Sequence, residues 1–226
     1  MNTLSIDVVS DVVCPWCFIG KRHLDRALEL WRAEQPACAV TVRWRPFFLN
    51  PDTPEAGEPY RPFLEKKFGG PKQLEELWQR VSEAGSKAGI AFAFAFEKIE
   101  LRANTLAAHR LIHLAQKVGA DNTAIGGLVE ALFAAQFLEG RHVGDRAVLA
   151  AVAGACGMDA EAVARYLESA EDADEVRGGA AEARRLGISG VPMFIFNQRL
   201  AASGAQPPDA LLQVMRETMR AAATPT

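Results

Sequence analysis

The sequence predicts an α/β protein whose strand-forming segments lie near the two ends of the chain, with an all-α block inserted between them. Three observations carry that expectation. Residues 4–49 read as strand, helix and strand; a Pro-rich connection then opens a long run of amphipathic segments; and from residue 172 the pattern is helix, two strands and helix.

LSIDVVSDVV (4–13) is short and β-branched, which suits a buried strand entering a loop. From Phe18 the apolar positions Ile19, Leu24, Ala27, Leu28 and Trp31 recur at helical spacing until Pro36 closes the segment. AVTVRWRPFFL (39–49) alternates Val40, Val42 and Trp44 against Thr41, Arg43 and Arg45, the two-residue period of a half-exposed strand. Strand, helix and strand in this order make a βαβ unit with a right-handed crossover.

NPDTPEAGEPYRP (50–62) has the proline, glycine and acid content of an exposed connection, and a domain boundary falls there. Beyond it come QLEELWQRVSEAG, TLAAHRLIHLAQKVG, AIGGLVEALFAAQFLEG, DRAVLAAVAGACG and DAEAVARYLESA, with Gly or Asp at most junctions. GIAFAFAFEKIE (89–100) interrupts them as an extended segment with Phe92, Phe94 and Phe96 on one face. Aromatic burial that pins a linker is the favoured reading of that face, and a substrate-facing apolar wall is the other. Asp172–Leu186 reads as a helix with two exposed arginines. GISGVPMFIFNQRLAASG then gives a loop and two strands turning at Asn197 and Gln198, and a last helix follows Pro207 and Pro208. The expected division is one discontinuous domain, 1–55 with 171–226, and an inserted helical domain, 56–170.

With 226 residues, 49% hydrophobic, the chain can bury a core without disulfide staples. A net charge of -3 with no long basic run speaks against nucleic acid or an anionic membrane as partner. MNTLSIDVVSDVV lacks the basic and apolar stretches of a secretory leader, and no apolar run nears the roughly 20 residues of a membrane span, so a cytoplasmic location is expected.

Of the four cysteines, Cys14, Cys17, Cys38 and Cys156, only the first two have a motif's spacing. CPWC has three readings: a redox pair, half of a metal site, or two inert buried thiols. Its place at a strand-to-helix junction favours the first. Unpaired amides and the helix dipole stabilise a thiolate on Cys14, the candidate nucleophile, while Cys17 lies in the first turn to resolve a mixed disulfide. Pro15 suits the first helical position, where no intrahelical N–H is lost. Trp16 is expected as a large exposed aromatic beside the thiol. A zinc site would need further ligands, and neither a second CxxC nor a zincin motif is present, so no metal is expected.

Other residues have plainer readings. His109 and His113 are expected to make core or interface hydrogen bonds, Cys156 to be a small buried hydrophobe, and Cys38 to be an incidental thiol near a turn. Asp11 is read as a loop cap before a proton carrier for Cys17, and Lys21 and Arg22 as solvated charges.

DVVCPWCFIGK, RPFFLNPD, NTLAAHRL and GISGVPMFIFNQRLAASGAQ, in that order, make the chain resemble DsbA-like thioredoxin-fold thiol–disulfide oxidoreductases of the cytoplasmic FrnE type. The resemblance covers nearly the whole chain. It implies a thioredoxin-like fold with an inserted all-α helical domain, a cis Val191-Pro192 bond beside the cysteines, and backbone pairing of Val191 with an extended thiol substrate. Protein or small-molecule thiols and disulfides are the implied partners; no cofactor is required, and glutathione is a candidate redox partner or co-substrate. Trp16 stands where periplasmic DsbA has His, which leaves the direction of electron flow open.

The same architecture occurs in 2-hydroxychromene-2-carboxylate isomerases and kappa-class glutathione transferases, which generally carry serine at the position of Cys14. In that alternative Cys14 would activate glutathione and SGAQ (203–206) would bind an anion. A further alternative is a non-catalytic binding module or chaperone using the apolar insertion.

Overall fold

A computed structural model describes residues 3–90 and 94–223. Strand β1 (Thr3–Ser10) leads into helix α1 (Pro15–Glu34) and returns as β2 (Ala39–Pro46), the expected βαβ unit. Its Leu4, Ile6 and Val8 are essentially inaccessible, and burying side chains of this size is worth about 1.5–3 kcal/mol each. After the insertion come α8 (Ala173–Arg185), β5 (Met193–Phe196), β6 (Leu200–Ser203) and α9 (Pro208–Ala223). The sheet order is β2-β1-β5-β6. β1 runs parallel to β2 and antiparallel to β5, in a register that sets Val9 opposite Met193. The β5–β6 hairpin turns at Asn197 and Gln198, whose φ values of 47° and 56° match the paired positive angles of a tight hairpin turn.

This is a thioredoxin-like α/β fold with a helical insertion. The insertion contains α2 (Tyr60–Phe68), α3 (Pro71–Lys87), α4 (Leu106–Lys117), α5 (Asn122–Phe137), α6 (Arg146–Ala155) and α7 (Ala160–Glu168). A two-stranded ribbon of β3 (Glu58–Pro59) and β4 (Leu101–Arg102) closes its base. Asp121, Asp145 and Asp159 cap α5, α6 and α7 by accepting hydrogen bonds from first-turn amides. Each such cap is worth about 1 kcal/mol. Helix α2 begins inside the stretch expected as a connection, and only Tyr60 of its residues is buried.

An aromatic column ties the insertion to α1. Phe18 stacks on Phe133 at 5.2 Å and meets Phe94 edge-on at 6.1 Å, and Phe94, Phe96 and Trp78 stack in turn at 5.1 and 5.2 Å. Phe94 and Phe96 are therefore pinned in the core, with Phe96 in a short 3-10 turn rather than an extended segment. Phe92 lies outside the described residues.

Three further expectations are corrected. Lys21 is buried, because its ammonium bridges Asp25 at 2.7 Å and Glu130 of α5 at 2.9 Å. Arg22 is only half-exposed: it reaches the same Glu130 at 2.6 Å and covers the Phe18 ring. Cys156 is exposed, since it follows the last residue of α6 at the point where the chain turns away.

The outer edge of the sheet is sealed by side-chain amides. Asn122 accepts from the Val42 amide at 3.1 Å and donates to the Val40 carbonyl at 2.6 Å. Gln116 accepts from the Trp44 amide at 2.7 Å and donates to its carbonyl at 3.1 Å. Each carboxamide thus takes the place of a neighbouring strand's peptide, which keeps β2 from pairing with another chain. Gln116→Ala, by freeing both polar groups of Trp44, is expected to cost about 1–3 kcal/mol in chemical denaturation. An unchanged midpoint would remove the edge-sealing role.

Candidate active site

Cys14 is the N-cap of α1, with extended backbone angles and Pro15 in the first turn. Its amide donates to the Asp11 carbonyl at 3.0 Å, and its own carbonyl accepts from Cys17 at 3.0 Å and from Phe18 at 3.3 Å. The loop out of β1 and the first turn of the helix therefore close on the same residue. The first turn carries no acidic side chain to offset the positive end of the helix dipole.

The two sulfurs are placed differently. Cys14 is 5% exposed and its thiol donates to the Val191 carbonyl at 3.6 Å. Cys17 is 1% exposed, one turn into the helix. Burial pushes the Cys17 thiol well above its ordinary range, and the hydrogen bond and charge of Cys14 push the same way. The Ser10 side chain and the Asp11 backbone oppose that shift by stabilising the thiolate. Cys17 is thus held protonated while Cys14 is unreacted.

The Val191-Pro192 peptide is cis. Pro192 is buried against α1, and Val191 is half-buried with its carbonyl toward Cys14. Trp16 is 38% exposed beside the thiol. The structure thus brings Cys14, Pro15, Trp16, Cys17, Val191 and Pro192 together, although these residues come from opposite ends of the sequence.

Asp11 is fully buried beneath the cysteines. Its carboxylate accepts from the Leu49 amide at 2.8 Å and faces His109 Nε2 at 3.4 Å, and the same nitrogen lies 3.2 Å from the Phe47 carbonyl. Asp11 therefore caps the loop after β2 rather than its own turn, and His109 is the core hydrogen-bonding residue expected.

Tyr60 had no signal in the sequence. Its ring is buried and stacked on Trp78 at 6.5 Å; burial raises its phenol out of the ordinary range, and the charge of Cys14 adds to the effect. The first residue of α2 thus feels the Cys14 sulfur. Cys38 is half-buried and Cys156 exposed, and both are free thiols. Among the described residues, neither Cys14 nor Cys17 belongs to a group of converging metal donors.

A helix-terminal cysteine pair set against a cis-proline loop on a four-stranded sheet defines a thioredoxin-like dithiol protein. The chain belongs to the DSBA-like thioredoxin domain family, whose profile matches residues 5–216. It is 27% identical over 208 residues to YwbO of Bacillus subtilis, an alignment covering 90% of this chain and 92% of that one. It superposes with TM-score 0.85 and 29% identity on a probable DsbA oxidoreductase of Streptomyces coelicolor, covering 99% of this chain and 92% of the other. The cytosolic disulfide reductase DsbM of Pseudomonas aeruginosa, solved with glutathione, shares the fold at TM-score 0.64 and 16% identity, covering 96% and 99% of the two chains.

Alkylation of the reduced protein should modify Cys14 while leaving Cys17 unmodified between about pH 7 and pH 9, since a raised thiol stays protonated through that window. Peptide mass spectrometry reads both sites. Modification of Cys17 ahead of Cys14 would contradict the assignment.

Proposed function

We propose that the protein is a thiol–disulfide oxidoreductase in which Cys14 attacks, Cys17 resolves and Val191-Pro192 positions the substrate. The observation that carries this reading is the Cys14 thiol at the start of α1, pointing at the Val191 carbonyl with Cys17 directly behind it. The Cys14 thiolate forms a bond to one sulfur of a substrate disulfide and expels the other as a thiolate. Cys17, deprotonated, then attacks Cys14, releases the second substrate thiolate and leaves a Cys14–Cys17 disulfide. The reverse sequence oxidises a substrate dithiol. The unfavourable ionisation of Cys17 suits this order, because its shift is eased once Cys14 carries no charge.

In this reading, Val191 offers its backbone to an extended substrate segment, and Pro15 and Trp16 form the rim against which that segment lies. Protein or small-molecule thiols are the substrates, and glutathione serves as redox partner.

The glutathione-dependent isomerase or transferase alternative is less well supported. Its anion-binding turn has few donors to offer: Gly204 N–H is taken by the Pro192 carbonyl at 2.8 Å and Gln206 N–H by the Gly204 carbonyl at 2.8 Å. Pro207, just ahead of α9, and Pro208, its first residue, have no N–H at all. A holdase is also less well supported, since Phe94 and Phe96 are committed to the core.

Turnover of a disulfide-bonded peptide with the single variants tests the proposal. Cys14→Ser should reduce exchange to the uncatalysed rate, and Cys17→Ser should stall as a mixed disulfide on Cys14. Full exchange by Cys14→Ser would refute it. Isomerase or transferase activity that survives Cys17→Ser but not Cys14→Ser would favour the alternative.

A further inference from the structure

Where the chain returns from the insertion, donor side chains of α4 and the start of α8 converge on one point. His113 Nε2 stands 3.8 Å from Asp172 Oδ2 and 3.7 Å from Glu175 Oε2, and the three donor atoms lie within 4.8 Å of one another. The nitrogen is sealed from solvent and has no hydrogen-bond partner. Both carboxylates are too far from it for a hydrogen bond, so it is aimed between them without being satisfied by either.

The local charge is unbalanced. Lys117 Nζ reaches Glu171 at 3.2 Å and the two oxygens of Asp172 at 2.9 and 3.0 Å. Glu175 receives no share of that ammonium. Three carboxylates therefore face one lysine and one imidazole. The Tyr166 hydroxyl donates to Asp172 Oδ2 at 3.0 Å and fixes its orientation. One imidazole nitrogen and two carboxylate oxygens make a borderline donor set suited to zinc-class ions. Donors bound at about 2.0–2.2 Å around a tetrahedral centre stand roughly 3.3–3.6 Å apart, so the separations of 3.8 and 3.7 Å from His113 need only a small contraction to take such an ion. A groove of about 600 Å³ that includes His113, Lys117 and Glu175 leaves room for water to complete the shell.

We propose that His113, Asp172 and Glu175 form a binding site for a divalent transition cation of the zinc class, which clips α8 to α4. The site is separate from the dithiol chemistry and does not depend on it. Its natural competitor is Lys117, whose ammonium occupies the Asp172 oxygens that the ion would use.

Calorimetric titration with zinc chloride tests this, carried out on a variant with Cys14, Cys17, Cys38 and Cys156 all changed to Ser so that thiolates do not compete for the ion. One saturable site is expected. His113→Gln and Glu175→Gln should each weaken it by at least about tenfold, the scale on which losing even an outer partner acts. Lys117→Gln should tighten it. Glu175 is 69% exposed, so its variant reads binding without threatening the fold. Absence of saturable zinc binding, or an affinity unchanged in both His113→Gln and Glu175→Gln, would overturn the proposal.

Discussion

Helix α1 reaches the Val191-Pro192 segment only because position 20 has no side chain. A Cβ on Gly20 would stand 2.9 Å from Pro192 Cγ and 3.2 Å from Phe194 Cζ, closer than packed atoms tolerate without moving. The approach of helix to strand fixes where the Cys14 sulfur lies relative to the Val191 carbonyl, and the proposed chemistry rests on that separation. The sheet register supplies the other half of the constraint. With Val9 opposite Met193, the end of β1 and the start of β5 lie side by side, so the loops carrying Cys14 and Pro192 must meet.

The insertion is built around the same helix. Phe18, the residue after Cys17, enters the aromatic column shared with Phe133 and Phe94, and Lys21 and Arg22 meet Glu130. Lys21 is a buried cation with two carboxylate partners, an arrangement costly to break from one side only. Helix α1 thus presents its start to the candidate site and its flank to the insertion. Tyr60 extends this link, since a residue of the insertion feels the charge of Cys14.

Features written in local chemistry were legible in the sequence. The alternation of Val42 and Trp44 with arginines, the helical spacing after Cys17 and the Asn197-Gln198 turn all depend on neighbours in the chain. The cysteine spacing and its strand-to-helix setting identified the candidate dithiol. The cis bond was reached only through resemblance, because local sequence does not set the isomer. Lys21 and Arg22 looked solvated because their partner Glu130 lies on a helix far along the chain. Cys156 looked buried because its apolar neighbours hide the end of α6. The role of Gln116 and Asn122 in sealing β2 was invisible, because it exists only after the insertion folds onto the sheet edge. Helix α2 was missed because prolines and charges dominate its start and only Tyr60 faces inward.

The central claim is that Cys14 and Cys17 form one reversible redox pair. Equilibration with defined ratios of reduced and oxidised glutathione, quenched in acid, alkylated after denaturation so that both thiols are accessible, and weighed by mass spectrometry, tests it most directly. The account predicts a single transition between a doubly alkylated dithiol and an unalkylated Cys14–Cys17 disulfide, with Trp16 fluorescence following the same curve. A pair that stays fully alkylated at every ratio, or that stops at a glutathione adduct on Cys14 with Cys17 still free, would contradict it.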